Sequence, residues 1–297
     1  MENPMQKIYE RFPPRLHFEE GNVTFRKGRW LGNGGYALCF EAISEENGKV
    51  FACKVIPKKM LKRTRLLRLR DEIKFLYSLK HNNIVKLHFH FDDKNYLFLF
   101  LELCDESLLD RLKSNDFEPT KIRSYFLQIA SACSYMHKKG LVHRDLKLAN
   151  ILLKNGKIKI ADFGLSIQLD SPDDKILTKV TGTKAYLAPE VLSHQPSGVK
   201  ADCWSLGCAL YALTFHQLPY NGESRREILT NVLTQDTPIP FTTEKSLKQL
   251  LIGLLQIDPE KRLSMDEVIN SDFIRKGWPL RKTIREFYKK VTRKFNL

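Results

Sequence analysis

Near residue 104 the hydrophobic pattern of the chain changes its period. Upstream, "VTFRKGRWLG", "YALCFEAI" and "KVFACKVI" are rich in β-branched and aromatic residues and read as strands over residues 23–56. Asn47-Gly48 supplies a hairpin turn between the last two. A basic helical stretch follows from about Thr64 to Leu79, and two more strands are expected near Ile84–His90 and Tyr96–Leu103. Downstream, apolar residues recur at helical spacing. Pro119 opens a segment to about Lys139 with Ile122, Phe126, Ile129, Cys133 and Met136 on one face, and Gly140 ends it. "ILLKNGKIKI" reads as a hairpin about Asn155-Gly156, and further helices are expected over Val199–Phe215, Ser224–Thr234, Ser246–Gln256 and Met265–Phe273. Five strands and one helix followed by a run of helices predict an α+β fold in two lobes. The expected boundaries are an N-terminal extension at 1–22, a β-rich lobe at 23–103, a helical lobe at 104–275 and a basic tail at 276–297. A cleft at the junction is the expected place for a site.

Composition narrows the partners. Of 297 residues, 42% are hydrophobic, enough for a sizeable core. The first twenty residues hold Glu2, Glu10, Glu19 and Glu20 and lack the basic start and apolar run of a signal peptide. No apolar run approaches about 18 residues, so no membrane span is expected. Six cysteines without a C-x-x-C pair fit reduced thiols and a cytoplasmic or nuclear setting. The net charge of +15 is concentrated in Pro57–Arg70, with seven Lys/Arg and no acid, and in Arg275–Leu297, with nine Lys/Arg and one acid. No nucleic-acid module accompanies these runs, so they read as solvated faces, with a polyanion-docking tail as the rival. A monomer is expected.

The stretch "LGNGGYALCF" (Leu31–Phe40) offers Gly32 and Gly34 of a G-x-G-x-x-G pattern but carries Ala37 at the third position. It lies between two strands, which argues against a dinucleotide-binding fold, whose fingerprint opens a helix. "ACK" closes the third strand at Lys54, "HRDLKLANILL" spans His143–Leu153, "DFG" is Asp162–Gly164 and "APE" is Ala188–Glu190. In this order and spacing the set resembles the eukaryotic protein kinase signature over about residues 25–275.

The resemblance implies a bilobal protein-kinase fold that uses ATP and Mg2+ to phosphorylate proteins. Phosphoryl transfer asks for positioning and charge neutralisation more than covalent help. By match, Lys54 holds the α- and β-phosphates, kept in place by Glu72 rather than its neighbour Asp71. Asp162 and Asn150 hold the metal, Asp145 takes the acceptor proton, and Lys147 neutralises the γ-phosphate. Gly32, Asn33, Gly34, Gly35, Tyr36, Ala37 and Leu38 form the phosphate loop, flanked by Leu31 and by Cys39 on the adenine side. "DLKLAN" and Thr183 of "GTKAYLAPE" are similar to Ser/Thr kinases, and Asp202 and the pair Arg262–Glu190 are expected to brace the platform.

Within the kinases, "GRWLGNGGYALCFEA", "FACKVIPKKML", "LELC" and "WSLGCALYAL" resemble the polo-like branch. That likeness makes "LELC" the hinge, with Leu101 as gatekeeper and the backbones of Glu102 and Cys104 on adenine. It makes Thr178 a phosphorylation site paired with Arg144, implies an upstream activating kinase and suggests cell-division control. Acids in "CDESLL", Gln168 and Lys184 depart from the branch, and the polo-box region is not in this chain. A nucleotide-binding pseudokinase or scaffold is the alternative.

Overall fold

The computed structural model describes residues 4–34, 37–61, 63–114 and 117–275. Gly35, Tyr36 and the basic tail at 276–297, all named above, lie outside the described residues. The backbone divides into two units, one of residues up to 80 with 85–105, the other of 81–84 with the residues from 106 onward.

In the first unit, α1 (Pro4–Arg11) and β1 (Arg15–Phe18) precede β2 (Val23–Asn33), β3 (Leu38–Ser44), β4 (Val50–Pro57), α2 (Arg63–Ser78), β5 (Leu87–Asp92) and β6 (Tyr96–Glu102). The antiparallel sheet runs β1-β2-β3-β4-β6-β5. It has six strands where the sequence suggests five, because residues 15–18 of the presumed extension pair with Val23–Arg26. Four residues with one buried side chain give too short an alternation to be read as a strand. Alternation does govern β3, where Leu38, Phe40 and Ala42 point into the core and Cys39, Glu41 and Ile43 point away. Met5 and Leu16 join Phe25, Phe51, Phe98 and Phe100 in that core. The fifth strand begins at Leu87, not near Ile84; Ile84 instead bridges Ile160 in the second unit.

The second unit comprises β7 (Glu106–Ser107), α3 (Leu108–Lys113), α4 (Ile122–Lys138), β8 (Leu141–Val142), β9 (Ile151–Lys154), β10 (Lys157–Ile160), β11 (Ile167–Gln168), α5 (Pro189–Leu192), α6 (Lys200–Phe215), α7 (Arg225–Thr234), α8 (Lys245–Leu254), α9 (Met265–Ile269) and α10 (Asp272–Arg275). Asn155 and Gly156 take φ of 49° and 71°, the left-handed pair that closes a two-residue hairpin between β9 and β10. From Ala201 to Phe215, α6 is buried all round, as its apolar sequence requires. The expected single helix over Met265–Phe273 is broken in two at Asn270-Ser271. Among the described residues no helix is long and apolar enough to cross a membrane.

Candidate active site

Candidate side chains occur in both units. In the first, the arms of the glycine loop are the end of β2 and the start of β3, with Asn33 opposite Leu38 and Gly32 opposite Cys39. Leu31 lies in β2 just before them. The amide of Gly34 donates to the carbonyl of Ala37 at 2.8 Å, closing the turn. In β4, Lys54 stands opposite Cys39 on one side and Leu99 on the other, so all three side chains share a sheet face. Ala52 and Leu101 pair on that same face. Burial pushes the Cys39 thiol up to about 11 against the pull of the Lys54 ammonium, which makes it a poor nucleophile at neutral pH.

Lys54 Nζ donates to Glu72 Oε1 at 2.6 Å, with the lysine side chain 19% and the glutamate 2% exposed. Among the described residues Glu72 Oε2 is buried without a hydrogen-bond partner. Such a carboxylate is tolerated because the ammonium compensates it, and it pins that ammonium on the face shared with Cys39. Asp71, the neighbouring acid, is exposed. At the end of β6 the Glu102 amide bonds to Lys86 O at 2.8 Å, while its carbonyl accepts a long contact of 3.8 Å from Cys104 Sγ.

In the second unit, Asp145 is a hub. Its Oδ1 accepts from the amide of Thr183 at 3.1 Å and from Thr183 Oγ1 at 3.0 Å. Its Oδ2 accepts from Lys147 Nζ at 2.8 Å and Asn150 Nδ2 at 3.0 Å. Lys147 also reaches Thr183 Oγ1 at 2.8 Å. Gly182 makes the approach of Thr183 possible: at φ of 107°, a Cβ there would lie 2.7 Å from the Arg144 carbonyl. The Asn150 amide nitrogen is taken up by the Asp145 backbone and carboxylate, so its oxygen faces elsewhere and suits a hard cation.

Asp162 is exposed and takes φ of 64°, a strained choice for a non-glycine residue. Phe163 anchors it, buried with its ring 5.0 Å from that of His143, whose Nε2 lies 3.0 Å from Ala161 O. Among the described residues no three His, Cys, Asp or Glu side chains gather to hold a metal by themselves. Mg2+ needs no such cage, since one or two protein oxygens suffice when phosphates supply others. Asn150 and Asp162 therefore fit it.

The loop carrying Asp145 is held from beneath by Asp202 of α6, which is fully buried. It accepts from the amides of His143 at 2.8 Å and Arg144 at 2.9 Å, and lies 3.0 Å from His137 Nε2. His137 escaped sequence reading; its signal is a histidine four residues after Cys133, on the buried stripe of α4. Burial alone would push the His137 pKa down, but the hydrogen bonds to Asp202 and Cys203 and the Asp202 charge raise it to about 9. A folded value above the ordinary 6.5 means that the stabilisation is complete below about pH 6.5 and is lost as pH rises through about 9. Thermal stability should therefore fall between pH 6.5 and 8.5, and a His137→Gln variant should show a flatter profile. Equal slopes for the two proteins would exclude the charged pair.

Arg144 donates through one terminal nitrogen to Thr178 Oγ1 at 2.8 Å, Lys179 O at 2.8 Å and Thr181 Oγ1 at 2.7 Å. Glu190 accepts a bidentate pair from Arg262 at 2.7 and 2.9 Å. Glu106, one of the unexpected acids, is neutralised by Arg111 of α3. Gln168 bonds to backbone carbonyls of Lys139 and Leu169, and Lys184 is exposed.

The protein kinase domain family matches residues 25–274. Serine/threonine-protein kinase PLK4 of Xenopus tropicalis is 35% identical over 260 residues, covering 86% of this chain and 27% of that protein. Serine/threonine-protein kinase polo of Drosophila melanogaster is 32% identical over 267 residues, covering 89% of this chain and 46% of that protein. The chain thus spans less than half the length of these relatives.

Proposed function

As the chain belongs to the protein kinase domain family, we propose that it is a Ser/Thr protein kinase of polo-like type, transferring the γ-phosphoryl group of ATP to protein hydroxyls, with cell-division control as the setting the likeness implies. The observation that carries this reading is the Asp145 carboxylate, fixed by Thr183, Asn150 and Lys147. Such a group is oriented to accept the proton of a Ser or Thr hydroxyl, and the adjacent Lys147 ammonium offsets charge on the phosphoryl oxygens. Lys54, steadied by Glu72, holds the α- and β-phosphates. The glycine loop from Leu31 to Cys39 covers the phosphates, and the backbones of Glu102 and Cys104 take the adenine. Asp162 and Asn150 hold Mg2+, which when bound offsets charge on the phosphates.

Regulation belongs to Thr178. Its hydroxyl already bonds Arg144, and phosphorylation would add about −1.5 to −2 charges to that contact. The test is incubation with Mg-ATP and casein, followed by phosphoamino-acid analysis. Label is expected on Ser and Thr, more of it from a Thr178→Asp form, and none from Lys54→Met. Transfer at the Lys54→Met level by both other forms would overturn the reading. ATP-dependent thermal stabilisation without transfer would leave a nucleotide-binding scaffold in its place.

A further inference from the structure

Residues 4–14 take no part in the chemistry above, yet they grip the strand that leads into the glycine loop. The β2–β3 ladder slips twice just before that loop, once between Lys27 and Trp30 and again between Trp30 and Gly32. A bulged strand loses ladder bonds and bends, so its course needs fixing from outside. Gly28, inside the first slip, runs so close to β3 that a Cβ there would lie 2.9 Å from Glu41 Cβ.

Side-chain contacts tie α1 to this interval. Tyr9 donates its hydroxyl to the Gly28 carbonyl at 2.8 Å. Its ring meets Trp30 edge-on at 5.1 Å and leans on Phe40 at 5.6 Å. Lys27 answers from the strand, donating to the carbonyls of Tyr9 at 3.1 Å and Phe12 at 2.8 Å, with its ammonium 4.4 Å from the Tyr9 ring centroid. A cation at those carbonyls also satisfies the end of the helix. The Lys27 amide bonds to Pro14 O at 2.8 Å. These hydrogen bonds all fall on Lys27 or Gly28 and the closest ring contact of Tyr9 on Trp30, the residues just before Leu31 and Gly32.

We propose that α1 is a strap that positions the glycine-loop strand for nucleotide binding, with Tyr9 and Lys27 as its positioning residues. That the loop binds a nucleotide rests on the kinase reading; the contacts of the strap do not. The strap acts through the bulged strand: it holds the Gly28 carbonyl and the Trp30 ring, and so sets the course of Leu31–Asn33 beside β3 up to the glycine loop.

The test compares the full chain with Tyr9→Phe, which keeps the ring and loses one hydrogen bond, and with Lys27→Met, which keeps the stem and loses the donors. Affinity for a non-hydrolysable Mg-ATP analogue is measured by direct titration. Amide exchange at Gly32 and Cys39 is measured without nucleotide. Tyr9→Phe should weaken binding about five-fold, the worth of one neutral hydrogen bond, and speed exchange at both amides. Lys27→Met should do the same or more, and kcat at saturating ATP should not change. Unchanged affinity with unchanged exchange in both variants would overturn the proposal. So would a fall in kcat and melting temperature alone, which is the mark of a purely structural helix. If the unmodified chain bound no nucleotide, the kinase reading would fall, while the exchange rates would still judge the strap.

Discussion

Asp145→Asn should lower phosphotransfer by roughly 10²–10⁴-fold and leave nucleotide affinity in place. The two carboxylate oxygens accept four hydrogen bonds, two from Thr183 and one each from Lys147 and Asn150. Asparagine has the same shape but one acceptor oxygen fewer. With that oxygen toward Lys147 and Asn150, its NH2 meets the Thr183 amide, donor against donor; turned over, it meets the lysine. The side chain still fits, but it neither accepts a proton nor keeps Lys147 and Thr183 in register. The loop itself is retained, because Asp202 holds the amides of His143 and Arg144 independently of residue 145. Single-turnover kinetics with saturating Mg-ATP, beside a nucleotide titration, separate the two effects. A rate within ten-fold of the unmodified chain would remove Asp145 from proton acceptance.

This geometry explains which parts were legible in the sequence. Strands of seven or more residues with one face in the core announce themselves by alternation, as β3 does with Leu38, Phe40 and Ala42. Lys54 was legible through its match to the kinase signature, and Glu72 because a positioned ammonium needs a carboxylate and the helix after the third strand carries one; the structure pairs the two. The strap was not. Met5, Ile8, Tyr9 and Phe12 do recur at helical spacing, but over eight residues that pattern cannot be told from chance, and its partners Trp30, Phe40 and Phe98 are far along the chain. His137 was hidden differently. A polar residue on an apolar stripe declares itself only when its partner is known, and Asp202 lies on another helix. Local pattern therefore reports what a residue does within its own element, whereas these two cases are decided by contacts between elements distant in sequence.

Arg262→Ala should cost the second unit about 3–5 kcal/mol, the usual penalty for removing one partner of a buried ion pair. Arg262 is 1% exposed, and its guanidinium makes two bonds to Glu190, one each to the carbonyls of Gln256, Lys200 and Ile257, and lies 5.2 Å from the Trp204 ring centroid. Its loss leaves the Glu190 charge buried and three carbonyls without this donor. In a unit of this size the melting temperature should fall by about 10 °C. Adding Glu190→Gln should restore part of the loss, by removing the stranded charge, but not all of it, because the carbonyls remain. Arg262→Lys should fall between, since an ammonium keeps the charge without the two-pronged fit to the carboxylate. Glu190 ends the segment that begins at Thr183, the residue that holds Asp145. Phosphotransfer should therefore fall with stability, although Arg262 touches no reacting group, and should recover on cooling in proportion to the folded fraction. Urea denaturation measures the first effect and activity against temperature the second. A stability loss below about 1 kcal/mol would mean that the pair contributes no more than an exposed one, and a loss of activity that cooling failed to restore would give Arg262 a direct part in the chemistry.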